Sequence, residues 1–129
     1  MKAWQHYAAV GLGSALGASL RYAIALAMLG PVFPWPTLLV NAVGSWLMGA
    51  VAAVATQRLH SRVARWQPFL ASGFCGGFTT FSLFGLETLQ LLNEARPWLA
   101  LGYMMISVPL WLAAAWHGYR VGQRLAIET

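Results

Sequence analysis

Charge is what this sequence has least of. Its 8 Lys+Arg and 3 Asp+Glu make up 9% of the chain, where a soluble domain carries about 25%. So few charges do not clothe the surface of a 129-residue soluble fold, and an ordinary soluble enzyme is disfavoured before any motif is read. Cysteine is nearly absent. With Cys75 alone, no intrachain disulfide forms and no oxidising compartment is implied. A single cysteine in an apolar stretch is expected as a small buried hydrophobe. The histidines, His6, His60 and His117, are scattered without ligand spacing, so no side-chain metal site is expected. Also missing is any dense Lys/Arg run. The net charge of +5 and pI near 10.2 therefore do not read as a nucleic-acid footprint.

Long apolar runs are what is present. The hydrophobic share is 59% and the mean hydropathy +0.60. Residues 3–20, 22–57, 66–86 and 97–119 contain no Asp, Glu, Lys or Arg. A spanning helix needs about 20 mostly apolar residues, and the second run is interrupted by Gly30, Pro31, Pro34 and Pro36. The pattern predicts helices over 4–28, 37–57, 69–92 and 97–120, forming one transmembrane domain over 1–129. The first run continues past Arg21 to Leu29, longer than a signal-peptide core, and is read as a helix of the mature protein. Trp4, Tyr7, Phe33, Trp35, Trp66, Trp98, Trp116 and Tyr119 fall at the span ends, as an interfacial aromatic belt does. Trp46 and Trp111 lie deeper and need a packing role. Four spans put Lys2, Arg58, Arg62, Arg65, Arg120 and Arg124 on one face, against Arg96 and at most Arg21 on the other. The positive-inside rule then puts both termini in the cytoplasm, at the inner membrane of a bacterial source.

Within the spans, polar and small residues are sparse enough to read one by one. Gly13 and Gly17 form a GxxxG pair, suited to close backbone approach either inside one subunit or between subunits. Asn41, Ser45 and Gly49 share a face of helix 2. A buried amide there serves either a helix–helix hydrogen bond or a pore. Helix 3 reads Ser72-Gly-Phe-Cys-Gly-Gly-Phe-Thr-Thr-Phe-Ser-Leu-Phe84, poor in good helix formers at mid-span. It predicts a break whose freed carbonyls can hold a cation in a protein-lined cavity. Phe81 and Phe84 share a face just beyond. They are either core filler or electropositive ring edges turned to an anion. Glu87 follows one turn on, a rare carboxylate near the membrane interior. In helix 4, Tyr103 and Ser107 either extend a hydroxyl track or cap backbone groups loosened by Pro109.

Taken in order, these motifs resemble the small bacterial fluoride channels of the Fluc or CrcB family. The similarity covers essentially the whole chain: Gly-x-x-x-Gly-Ala-x-x-Arg-Tyr from Gly13 to Tyr22, Thr-Leu-x-Val-Asn-x-x-Gly-Ser from Thr37 to Ser45, and Gly-Phe-Cys-Gly-Gly-Phe-Thr-Thr-Phe-Ser-x-Phe from Gly73 to Phe84, then Glu87. The resemblance implies an all-α membrane protein of four helices, helix 3 broken at Gly76–Thr79, in an antiparallel dual-topology dimer that passes fluoride down its gradient. It implies a fluoride pore of Asn41, Phe81, Phe84, Tyr103, Ser107 and, more weakly, Ser82. Arg21 and Glu87 match near-pore charges. A structural sodium ion at the dimer centre is implied on the backbone carbonyls of Gly76 and Thr79. Two departures stand out. Trp111 and Ala115 occupy places where relatives continue the hydroxyl track. The one-sided positive charge favours a single orientation, so the partner is either a second copy or an oppositely oriented homologue.

Other classes remain in view. A small four-span exporter of cations, guanidinium or drugs needs a membrane carboxylate in helix 1, which has neither Asp nor Glu. A non-transporting subunit of a larger membrane complex fits the composition. An enzyme is the weakest reading, since no nucleophile–base pair is visible.

Overall fold

Hydrocarbon offers the backbone no hydrogen-bond partner, so apolar runs of this length satisfy their own N–H and C=O groups by winding into helices. The computed structural model describes residues 2–128 and contains no strand among them. Helix α1 is Ala3–Ala27, α2 Trp35–Gln57, α3 the short Arg62–Arg65, α4 Gly76–Phe78, α5 Phe81–Asn93 and α6 Pro97–Glu128, with a π-helical stretch at Pro68–Cys75. Four spans, Ala3–Ala27, Trp35–Gln57, Pro68–Asn93 and Pro97–Glu128, are long and apolar enough to cross a membrane. Gly30 turns the chain between α1 and α2 at φ 122°, a left-handed conformation that favours glycine. Ser61 caps α3 through Ala64 N (3.1 Å).

Most span ends fall within a few residues of expectation. The exception is α6, expected to stop at 120 but continuing to Glu128. Arg120 and Arg124 end the apolar run without ending the helix, because arginine is a good helix former.

The third span differs most. The sequence places the break over Gly76–Thr79, yet Gly76 keeps helical angles (φ −61°, ψ −40°). The non-helical residues are Thr79 (φ −86°, ψ 156°) and Thr80 (φ −153°, ψ 117°). Threonine hydroxyls hold both sides of the gap. Thr79 Oγ1 donates to the Cys75 carbonyl at 2.8 Å, and Thr80 Oγ1 caps α5 by accepting from Leu83 N at 3.1 Å.

The glycines serve packing instead. The helices pair in parallel, α1 against the first half of the third span and α2 against α6. A Cβ on Gly13 would lie 2.8 Å from Phe74 N, one on Gly17 2.8 Å from Phe78 N, and one on Gly77 2.8 Å from Ser14 Cα. The GxxxG pair thus packs within the subunit.

Trp4, Tyr7, Trp66, Trp98 and Trp116 are exposed, as a belt requires. Phe33 departs from it: its ring packs inward, 5.3 Å from that of Tyr103. Trp46 reaches across to α6, donating to His117 Nδ1 at 2.9 Å.

Candidate functional site

Where α2, α5 and α6 meet, the chain gathers polar atoms and rings in a place almost free of formal charge. Asn41, 4% exposed, faces the break. Its Nδ2 donates to the Thr80 carbonyl (2.8 Å) and its Oδ1 accepts from Thr80 N (2.7 Å). One amide thus satisfies both backbone groups that the break exposes at Thr80. A primary amide has two N–H donors, so the second N–H of Asn41 is left for another acceptor. The helix-bridging role is therefore real, and it does not exhaust the side chain.

Phe84 is 6% exposed and sits edge-to-face between Tyr103 and Trp111, at 4.9 Å from each. Phe81 lies 5.5 Å from Phe84 but is 74% exposed, turned away from the subunit's own core. The two rings share a sequence motif and differ in setting.

The hydroxyls on α6 divide in the same way. Tyr103 is fully buried and its OH donates to Glu87 Oε2 over a long 3.4 Å, while Thr37 Oγ1 donates to Glu87 Oε1. Ser107, one turn further along α6, is also fully buried, and its Oγ has no hydrogen-bond partner. Neither hydroxyl caps backbone loosened by Pro109. Leaving a buried hydroxyl unpaired costs about 1–3 kcal/mol, so Ser107 is a donor in want of an acceptor. One turn on, Trp111 interrupts the hydroxyl series: its Nε1 donates to the Leu38 carbonyl at 3.1 Å. The indole N–H is taken up within the fold, and the polar face of α6 ends at Ser107.

The remaining residues singled out in the sequence lie nearer the break. Arg21 Nε donates to the Gly77 carbonyl at 3.2 Å. Ser82 is exposed, with its Oγ 3.4 Å from Thr80 Oγ1. The Thr80 N–H, which would close a helical bond to the Gly76 carbonyl, is turned to Asn41 instead. Gly76 itself is exposed, and Thr79 beside it is extended. Among the described residues, no group of three His, Cys, Asp or Glu side chains is placed to hold a metal ion. Glu87 and Thr37 also line a recess of about 270 Å³, together with Phe33, Leu83, Gln90 and Glu94, at the end of the fold away from the termini.

Thr37 does not stand out in the sequence, although it lies four residues before Asn41 and extends the same helical face. Nor does Thr80 as an individual; its backbone pairing follows from the break's geometry, which local spacing does not specify.

The family described as CrcB-like protein, Camphor Resistance (CrcB), matches residues 8–119. The chain is 43% identical to the fluoride-specific ion channel FluC 1 of Rhodopseudomonas palustris strain BisB18, over 92% of this chain and 87% of that one. It is 45% identical to a fluoride-specific ion channel FluC of Thermus thermophilus, over 94% and 98% of the two chains. It is 45% identical to that of Paramagnetospirillum magneticum AMB-1, over 88% and 91%.

Proposed function

The chain belongs to the CrcB family of small helical membrane proteins, and from that premise we propose that it conducts fluoride passively out of the cytoplasm and so limits fluoride toxicity. It is a multi-pass protein of the bacterial inner membrane. The proposed activity is conduction and not catalysis. The observation that carries the reading is Ser107, a buried hydroxyl without a partner, one helical turn from Tyr103 on one side and from Trp111 on the other.

A bare anion in hydrocarbon is prohibitively costly, so each lost water must be replaced by a donor. Arg21 supplies positive charge toward the path. The remaining N–H of Asn41 and the hydroxyl of Ser107 donate to the ion, and the electropositive edges of Phe81 and Phe84 face it. None of these is a full positive charge buried beside the route, so the ion is held weakly enough to leave. The Tyr103 ring forms a wall, with its hydroxyl kept on Glu87. A proton-coupled cation exporter draws no support from the family match or from α1, which has no carboxylate.

The proposed assembly is an antiparallel pair of chains with this fold, a self-pair or a pair with an oppositely oriented homologue. Two observations support a protein neighbour. Irregular backbone is not tolerated against lipid, yet the break at Thr79–Thr80 is flanked by exposed Gly76 and Ser82. Phe81, proposed to face the ion, also projects outward there. The sodium ion belongs to the same proposal. Carbonyl oxygens are the hard donors a sodium ion takes, and the Gly76 carbonyl has lost its helical donor beside extended Thr79. Gly76 and Thr79 would hold the ion, which supplies positive charge between the freed carbonyls of the pair.

Phe81→Ile keeps bulk and hydrophobicity but removes the ring edge. Fluoride efflux from vesicles is expected to fall at least about tenfold, the effect of losing about 1.4 kcal/mol. Melting temperature and elution volume should match the parent protein. Unchanged efflux would assign Phe81 to packing alone.

A further inference from the structure

Two apolar recesses meet at one tryptophan where α1 passes α3 and the start of the third span. The larger, about 580 Å³, runs along α1 from Trp4 and Gln5 over Ala8 to Leu12 and is closed by Arg65 and Trp66. The smaller, about 330 Å³, lies among Arg62, Val63, Trp66, Phe69 and Leu70. Trp66 is the wall they share. The larger recess is a furrow made by contrast of size. Trp4, Ala8 and Leu12 follow at four-residue spacing on one face of α1, so a methyl group separates two bulky side chains. Eight residues of helix span about 12 Å, comparable with one leaflet's half of the ~30 Å hydrocarbon core. The Trp66 indole is held in place by an edge contact with the Phe69 ring, 6.2 Å between centroids.

Two cations stand at the mouth of these recesses. Arg62 and Arg65 are three residues apart on α3 and so project from the same side. Both are exposed, and no Asp or Glu occurs before Glu87 to neutralise them. Arg120, at the same end of the molecule, is placed differently: it stacks on the Trp116 ring, 5.2 Å from the centroid.

We propose that the two recesses seat one anionic phospholipid, its phosphate on the Arg62 and Arg65 guanidinium groups and its two acyl chains on either side of Trp66. Guanidinium groups meet phosphate oxygens bidentately, and an indole sits where headgroup gives way to acyl chain. A zwitterionic lipid fills the same furrow but brings an ammonium group against the arginines. A free phosphate ion meets the arginines and leaves the furrow empty. The bound lipid ties α1 to α3 at the end where the termini lie. The seat needs only a chain that spans a membrane, whichever ion that chain conducts. The face proposed for the partner chain lies at the break, further along the third span.

Native mass spectrometry of the purified, detergent-solubilised protein, titrated with phosphatidylglycerol or with phosphatidylcholine of the same acyl chains, tests the seat. The parent protein should bind its first phosphatidylglycerol at least about tenfold more tightly, as two arginines beside an anionic headgroup warrant. Arg62→Gln/Arg65→Gln should lose that preference. Arg120→Gln/Arg124→Gln removes as much charge from the same end and should keep it. Ala8 is exposed in the furrow, so Ala8→Phe fills the space with every charge in place and should weaken phosphatidylglycerol binding about tenfold. Equal affinity of the parent for the two lipids would overturn the inference. So would an equal loss of preference in the two arginine pairs, which marks diffuse attraction to one charged end. Unchanged phosphatidylglycerol binding by Ala8→Phe, or displacement of the lipid by inorganic phosphate at the lipid's own concentration, would also overturn it, since either leaves an anion site without a seat for the chains.

Discussion

Asn41→Ala is expected to reduce fluoride efflux by about 100-fold and to lower the melting temperature at the same time. Both effects come from one side chain. The amide holds Thr80 by its carbonyl and its N–H, at 2.8 and 2.7 Å, so truncation orphans two half-buried backbone groups at the break. Each orphan costs about 1–3 kcal/mol. The flux loss has a separate origin: a hydrogen bond to a charged group contributes up to about 3 kcal/mol, roughly 100-fold in an equilibrium constant. The N–H proposed to meet the ion disappears as well. Asn41→Asp separates the roles. An aspartate still accepts from Thr80 N but cannot donate in its ionised form, and it places a negative charge beside the route. It should recover part of the stability and none of the flux. Efflux close to that of the parent in folded Asn41→Asp would remove Asn41 from the conducting path and leave it as a clamp on the broken helix.

Gly77→Val is expected to prevent the chain from reaching a stable, monodisperse form. A Cβ there meets the backbone of Ser14, with Cα at 2.8 Å and the carbonyl carbon at 2.9 Å. No rotamer change relieves a clash with a main chain, so α1 must move off the third span. Ser14 Oγ would lose its bond to the Gly73 carbonyl (3.2 Å), and Arg21 its bond to the Gly77 carbonyl (3.2 Å). Overpacking of this kind costs about 1–3 kcal/mol even where side chains can yield, and here they cannot. The control is Gly85→Ala, a glycine in the same span with nothing within 4 Å of the added Cβ. It should express and elute like the parent. Equal behaviour of the two variants by size-exclusion chromatography would contradict the close packing of α1 on the third span.

The four spans, their exposed tryptophans and the single charged face are legible in the sequence because each depends on local composition. Apolar length sets a span, and an amphipathic ring such as Trp98 has little reason to lie elsewhere than an interface. The broken third span is also legible in outline from Gly76-Gly77 and Thr79-Thr80. Its details are not. Small-residue pairs signal close approach without naming the partner, and only the tertiary packing assigns Gly13 and Gly17 to the third span. The position of the break passes to the threonines because their hydroxyls supply caps, while Gly76 stays helical and Gly77 packs against α1 at Ser14. Phe81 and Phe84 look alike in sequence and lie at 74% and 6% exposure. That difference depends on which side of α5 meets α6. The use of the Trp111 N–H on Leu38 follows from the register of α6 against α2, two helices far apart in the chain.

Anion efflux from proteoliposomes made with the purified chain, loaded with fluoride or with chloride, is the most direct measurement. Fluoride should leave rapidly once charge is balanced by a potassium ionophore, while chloride stays inside, because the donors along the route are one amide N–H, one serine hydroxyl and the edges of two phenyl rings. Equal release of both anions, or retention of fluoride by folded protein, would contradict a fluoride-selective path through Asn41, Phe81, Phe84 and Ser107.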